Sequence, residues 1–406
     1  MASARALPAP GRGGADPTDR PGGTAASSVL PVLKLGGVTA PLPVMLAPMA
    51  GVTNLPFRLL CRSFGAGLFV TEMVTSRALL AGHAATRALL RHDPSERPRS
   101  VQLYGVDPAT VAAAVALVRR EDLADHIDLN FGCPVPKVTR QGGGAALPWK
   151  RDLFRRIVDG AVGAAGSLPV TVKLRTGIDS EHLTFLEAGL AAEAEGAAGL
   201  TLHARTAAQH YSGAAGWSAI AQLKREVTSI PVLGNGDIFK ADDAVEMVRR
   251  TGCDGVVVGR GALGRPWLFA DLQAALSGRS ERLRPALGFV LDVVRRHAEG
   301  LVSFSGSEAH GMRELRRHMS WYLKGYPAGG AERSAAHQLS SLAELESLIS
   351  RLDLDAPYPG DVAEGPRGRA GGVKRPRLPD GWLDSAELTP SHRAALAAAE
   401  VAVSGG

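Results

Sequence analysis

The sequence predicts an α/β chain folded as a (β/α)8, or TIM, barrel, on three observations. Between residues 43 and 260, eight apolar runs recur, each of three to five residues and several rich in Val. Their mean spacing is about 30 residues, the size of a strand–helix–strand unit. Nearly every run ends in a polar or reactive side chain, as barrel strands do where they converge on one mouth.

The runs are Val44–Ala47, Leu68–Thr71, Ser100–Leu103, Ile127–Leu129, Val170–Leu174, Leu200–Leu202, Pro231–Leu233 and Gly255–Val258. Each is short and apolar enough for a strand buried on both faces. Helical patterns lie between them. Asp107-Pro108 opens one, since Asp caps and Pro suits the first helical position. Val111, Val115 and Val118 share a face, and Arg119-Arg120 favour the negative C-terminal end. Leu183, Leu186 and Leu190 are read as the buried face of another helix. Asp242–Val248 opens a third, which Gly252 stops. A doubly wound open sheet would show Gly-x-Gly-x-x-Gly after its first strand. Here that strand runs into Ala47-Pro48-Met49-Ala50-Gly51, which favours the barrel.

Composition bounds the rest. With 406 residues the chain buries a full core without staples. Its three cysteines, Cys61, Cys133 and Cys253, exclude a disulfide framework and any Cys-rich metal centre, and no metal is expected. No stretch of about 18 apolar residues suggests a membrane span, and no signal pattern opens the chain. A reducing, cytoplasmic setting is expected. The net charge of +6 hints at an anionic partner. Residues 1–31 are too poor in large apolar side chains to offset their ordering entropy, so a disordered tail is expected there. A second, largely disordered tail is expected over 355–406. Its bases Arg367, Arg369, Lys374, Arg375 and Arg377 are either a solvated run or a polyanion contact.

The side chains at or just after the runs are Met49, Glu72, Gln102, Asn130 with Cys133, Lys173 with Arg175, His203 with Arg205, Asn235 with Asp237, and Gly259 with Arg260. Lys173 is a fixed cation facing developing negative charge, or half of an ion pair with Glu72. His203 is a site imidazole or a satisfied core one. Gln102 binds a ligand or ties strand ends together. Asn235-Gly236-Asp237 is a site or only a turn. Gly259-Arg260-Gly261, after the eighth strand, has the glycines and the cation of a phosphate loop. Cys61 reads as inert core and Cys253 as structural. Cys133, between Gly132 and Pro134 on the loop after the fourth strand, falls at the mouth as a nucleophile or general acid.

These residues resemble the tRNA-dihydrouridine synthases, most of all their bacterial branch. The matching motifs are Ala47-Pro48-Met49-Ala50-Gly51-Val52-Thr53-Asn54, Asn130-Phe131-Gly132-Cys133-Pro134, Val172-Lys173-Leu174-Arg175-Thr176-Gly177, Leu202-His203-Ala204-Arg205-Thr206, Gly234-Asn235-Gly236-Asp237-Ile238 and Gly259-Arg260-Gly261, with Ser320-Trp321-Tyr322-Leu323-Lys324-Gly325 near the end. The resemblance covers roughly 32–352. It implies an FMN-binding barrel over 32–270 and a smaller C-terminal helical domain, gripping tRNA, over 271–354. It also implies FMN as cofactor, NADPH as reductant and tRNA as substrate, with no membrane, no obligate protein partner and a monomer. Pro48, Met49 and Ala50 would line the flavin ring, Gln102 and Lys173 its pyrimidine edge, and His203 the flavin or its phosphate region. Asn235, Gly236, Asp237, Gly259 and Arg260 would hold the ribityl phosphate. Cys133 would be the catalytic acid and Asn130 would orient the uracil. Lys137, Arg140, Arg175, Arg205, Arg317 and Lys324 are expected to contact tRNA.

The chain departs from the family pattern at Phe131, in place of Met, and at Pro136, in place of one of two lysines. It departs again at Gly142-Gly143-Gly144-Ala145, in place of Leu-Ala-Gly-Ser, which predicts a more flexible loop. In residues 310–325, Met312, Leu315, Met319 and Leu323 form an apolar stripe, opposite Arg313, Arg316, Arg317 and Lys324. Two other readings stand beside this one. One is a flavin barrel for a small pyrimidine, resembling the dihydroorotate dehydrogenases. The other is an RNA-binding protein without catalysis.

Overall fold

The computed structural model describes residues 31–368 and 371–402. The expectation for the N-terminal tail falls almost wholly outside these residues, as does Arg369. The described chain opens with a hairpin, β1 (Leu33–Leu35) and β2 (Val38–Ala40), turning on Gly36-Gly37 with φ +54° at Gly36. Eight parallel strands then close into a barrel: β3 (Val44–Leu46), β4 (Leu68–Thr75), β5 (Ser100–Tyr104), β6 (His126–Phe131), β7 (Val170–Arg175), β8 (Gly199–His203), β9 (Val232–Asn235) and β10 (Gly255–Val258). Each pairs with the next, and β10 returns to β3 with Val256 opposite Val44. Every predicted run is one of these strands.

The hairpin is an element the runs do not announce, because two three-residue strands carry too little periodicity. It closes the N-terminal end of the barrel. Leu33 and Leu35 are buried with Met45, Leu68, Val70, Leu233 and Val257. At Gly36 a Cβ would stand 3.1 Å from Pro169, just before β7.

Inside, the barrel has two characters. The wall from β9, β10, β3 and β4 is apolar, as the same cluster shows. On β5, β6 and β7 the inward positions are polar. His126 bonds Ser100 at 2.7 Å and Thr171 at 3.0 Å, and Thr171 donates to Asp128 at 2.6 Å. Val101, Leu103, Ile127, Leu129, Val172 and Leu174 alternate with these residues and pack under the helices. These strands therefore alternate rather than being apolar on both faces.

Asp107 caps helix Pro108–Arg120 through Thr110 N at 2.8 Å, and Val111, Val115 and Val118 are buried. Gly252, at φ +69°, ends helix Ala241–Thr251. At helix Phe185–Ala194 the expected face is only partly met, since Leu186 packs on the core and Leu183 precedes the helix. Leu183 and Leu190 are exposed, and Phe185, Ala188, Gly189 and Ala192 face inward. Small residues sit there because the neighbouring helix comes close: a Cβ on Gly189 would collide with Leu223.

After the barrel, helices Leu287–Ser305 and Glu308–Tyr322 pack antiparallel, with Gly330–Ala336 and Leu342–Ile349 beside them. Gly306, at φ +68°, ends the first helix, and Ser307 caps the second through His310 N at 3.3 Å. Met312, Leu315, Met319 and Leu323 are all buried, in a core separate from that of the barrel. No helix among the described residues is long and apolar enough to cross a membrane.

Within residues 355–406, where a largely disordered tail is expected, some described residues are buried while others, such as Val373, are exposed. Trp382 is 1% exposed, Arg367 3% and Leu396 7%, and helix Pro390–Ala402 follows. The burial at Trp382 rests on one large side chain, which an average over small residues does not weigh.

Candidate active site

The C-terminal ends of β3 to β10 surround a cavity of about 390 Å³. Pro48, Met49, Ala50, Gln102, Asn130, Cys133, Lys173, Arg175, His203, Asn235, Gly236, Asp237, Gly259 and Arg260 all line it. Thus every residue expected to bind cofactor lies at one place, together with the cysteine.

One wall is the turn after β3. Met49 N donates to Thr53 Oγ1 at 3.0 Å, and Gly51 N, at φ +72°, donates to the Glu72 carboxylate. Glu72 is thereby occupied, so it is not the partner of Lys173. Lys173 Nζ instead donates to Asn235 Oδ1 at 3.2 Å, and Asn235 Nδ2 donates to Val257 O at 2.6 Å. Burial lowers Lys173 to about 8, against a partial opposing pull from Asp128. Asp128 itself is pushed up to about 6 by burial.

Asp128 is a residue that sequence reasoning missed. It accepts from Gln102 Nε2 at 2.7 Å, and Gln102 Oε1 accepts from Asn130 Nδ2 at 3.1 Å. Asn130 Oδ1 then accepts from Gly132 N at 2.9 Å and Cys133 N at 3.0 Å. A relay of fixed side chains therefore runs from the barrel interior to the backbone of the cysteine. An available signal was its alternation with His126 and Asn130 on one strand.

Cys133 is half-buried, whereas Cys61 and Cys253 are buried. Burial pushes the Cys133 thiol above its ordinary value, and Arg175 and Lys173 only partly oppose this. It is thus a thiol rather than a thiolate at neutral pH. His203 is driven well below its ordinary value by burial, reinforced by Arg175, Lys173, Arg205 and Arg260, and is neutral.

Arg175 and Arg205, expected to contact tRNA, are buried and make several of their hydrogen bonds inside the protein, although Arg205 Nη1 has no partner among the described residues. Arg175 donates to Gly132 O at 2.9 Å, Thr206 O at 2.8 Å and His210 O at 2.9 Å. Arg205 grips both Asp237 oxygens at 2.7 Å and also bonds the carbonyls of Ser212 and Gly213. Buried guanidinium groups must find such acceptors. Asp237 also accepts from Ala215 N at 2.7 Å, so its charge is largely answered. That leaves Arg260, 3.5 Å from Asp237 and stacked 4.4 Å from the Tyr211 ring, as the available cation beside Gly259.

The outer residues differ among themselves. Lys137 and Arg140 are exposed on and after the short helix Pro136–Thr139. Arg317 is exposed and paired with Glu314 at 2.7 Å, and a Cβ on Gly51 would stand 2.8 Å from its guanidinium. Arg317 thus reaches from the helical domain to the cavity wall, which Trp321 also lines. Lys324 Nζ is bound to Pro366 O at 2.7 Å. Met73, Tyr211 and Phe239 also line the cavity and were not singled out, since nothing in their spacing marks them.

A family model described as "Dihydrouridine synthase (Dus)" matches residues 45–354. The chain is 55% identical over 362 residues to a "Probable tRNA-dihydrouridine synthase" of Mycobacterium tuberculosis (strain H37Rv), covering 87% of this chain and 92% of that one. A protein of the same name from Mycobacterium leprae is 55% identical over 84% of this chain and 95% of its own length. The "tRNA-dihydrouridine synthase B" of Xanthomonas campestris pv. campestris is 38% identical over 81% of this chain and 97% of its own.

Proposed function

The chain belongs to the dihydrouridine synthase family, and from that premise we propose that it reduces the 5,6 double bond of uridines in tRNA, using FMN and NADPH, with Cys133 as proton donor. The observation that carries this reading is a half-buried cysteine on the rim of a cavity that also holds a buried lysine and a glycine–arginine loop.

The residues present fit a flavin. Lys173 has two further ammonium hydrogens beyond the one given to Asn235, and Gln102 keeps one N–H and one lone pair. These suit the pyrimidine edge of the ring. Pro48, Met49 and Ala50 would lie along it, and neutral His203 would reach the ring or the phosphate end. Gly236, at φ +129°, and Gly259 let the backbone come close, while Asn235, Asp237 and Arg260 complete a phosphate pocket whose net cation is Arg260. When bound, the reduced flavin supplies the hydride.

The protein supplies the rest. Cys133 gives its proton to C5 of uracil from the face opposite hydride delivery at C6. Asn130, Arg175 and the loop after Cys133 hold that thiol in place. Lys173 fixes a positive charge where negative charge develops. The uracil must leave the tRNA stack to reach the cavity. Arg313 and Arg317 on the helical domain, with Lys137 and Arg140 on the barrel, would position the phosphates around it.

The test is to incubate purified protein, checked for flavin absorbance, with NADPH and unmodified tRNA and to measure dihydrouridine by mass spectrometry. Cys133→Ala should lose tRNA reduction yet bind flavin and oxidise NADPH as the wild type does. Wild-type uridine reduction by that variant would remove Cys133 as the acid. Turnover of free uridine or orotate without RNA would point to a small-pyrimidine enzyme.

A further inference from the structure

We propose that the C-terminal segment is an intramolecular clamp on the loop that follows Cys133, and that Trp382 is its positioning residue. The inference rests on the reading of Cys133 as the acid. The segment lies beyond residue 354, where the family match ends.

The geometry is specific at three points. Trp382 Nε1 donates to Ala146 O at 2.9 Å, and the preceding residue, Ala145, donates its N–H to Cys133 O at 3.0 Å. One residue step therefore links the indole to the carbonyl of the cysteine. Gly142, at φ +74°, makes room for the ring: a Cβ there would lie 2.6 Å from Trp382 Cη2. Lys150 is fully buried, and its ammonium donates to Ser385 O at 2.6 Å and Glu387 O at 2.9 Å while lying 4.8 Å from the Trp382 ring centre. Trp149 Nε1 adds a bond to Ser385 O at 3.1 Å.

Each of these features makes sense only with the segment in place. Without it, the ammonium of Lys150 would have neither of its carbonyl acceptors nor the Trp382 ring. The glycine run that departs from the family pattern would lose that ring as well. With it, Gly142 is the seat of an indole, and Gly144, at φ +55°, packs on the Cys133 carbonyl, where a Cβ would collide. The other side of Cys133 is already fixed by Asn130 and Arg175. The clamp adds a restraint from the C-terminal segment to a loop that already packs on β6 and the barrel core.

Two readouts test this. One is dihydrouridine formation at saturating tRNA. The other is the rate at which iodoacetamide alkylates Cys133, which the burial of Cys61 and Cys253 leaves as the accessible thiol. Trp382→Ala should lower turnover by about 10- to 100-fold, the range expected of a misplaced catalytic group, and raise alkylation several-fold. NADPH-driven flavin reduction should be unchanged. Trp382→Phe, which keeps a ring in the seat, should recover most of both. Gly142→Ala pushes on the same contact from the loop side and should reproduce the effect. In the Trp382→Ala background it should add less than it does alone, since the ring collision is gone and only the strain of the positive φ and the Leu396 contact at 3.1 Å remain.

A folded Trp382→Ala with wild-type turnover and alkylation would overturn the clamp. If that variant does not fold, wild-type turnover and alkylation in Gly142→Ala would overturn it. Absence of dihydrouridine with the wild-type protein would instead sink the reading of Cys133 as acid, and the alkylation rates would still decide the clamp.

Discussion

Lys173 and Asp128 show how far a side chain's chemistry follows from its strand position. The sequence places Lys173 at the end of a buried strand, where a lysine needs a reason to be. It does not name the partner, and Glu72, the obvious candidate, is held by Gly51 N. Partner choice depends on which inward faces meet across the barrel, and β7 faces β9 through Asn235. Asp128 was illegible for a related reason: inside an apolar run, one carboxyl reads as noise until its neighbours are known to point the same way. Burial sets Lys173 at about 8, which has a measurable consequence. An anionic flavin would raise that value again, so the cationic form binds better. FMN affinity of the apoprotein should therefore be highest below that pKa and fall as pH rises through it. Lys173→Met should weaken binding and flatten the dependence between about pH 7 and pH 9, read by quenching of flavin fluorescence. An unchanging wild-type affinity over that range would remove Lys173 as the counter-charge.

At the level of elements, strands were easier to read than helix faces. All eight runs are strands because a barrel strand needs only a short apolar core with a turn on either side. Asp107 and Gly252 mark helix ends by chemistry that is local, so they too were legible. The face of helix Phe185–Ala194 was not. Three leucines at helical spacing outweigh Ala188 and Gly189 in any hydrophobic count, but a tight approach to Leu223 selects small residues. Leu190→Gln should accordingly leave stability within about 0.5 kcal/mol, whereas Ala188→Leu should cost about 1–3 kcal/mol through overpacking. Urea unfolding of the two variants decides between the faces, and the opposite ranking would restore the leucine face.

Over the whole molecule, the convergence of reactive strand ends was visible in the sequence, and the mouth it predicted is where the cavity lies. The second core and the returning C-terminal segment were not visible in the same way. Their contacts join residues far apart, and composition averages Trp382 and Leu396 into a run of glycines and prolines. The surface offered to RNA is likewise a whole-molecule property. Of the bases expected to contact tRNA, Arg175 and Arg205 are buried with several bonds inside the protein and Lys324 holds Pro366, while Arg317 is the exposed one on the helical domain at the cavity edge. Arg317→Glu should weaken tRNA binding and lower the slope of log affinity against log salt by about 1, with flavin content unchanged. A salt slope equal to that of the wild type would place the phosphate contacts elsewhere.

The bond from Trp382 to Ala146 spans 236 residues. A ribosome makes Cys133 early and its last restraint late. While the barrel strands and the second helical core are emerging, the loop beside the thiol has nothing to seat in it. Contacts of such separation form slowly, and domains made first fold first. The reactive loop is therefore the part of the protein that matures last, and a nascent chain can own a finished barrel well before it owns a finished enzyme.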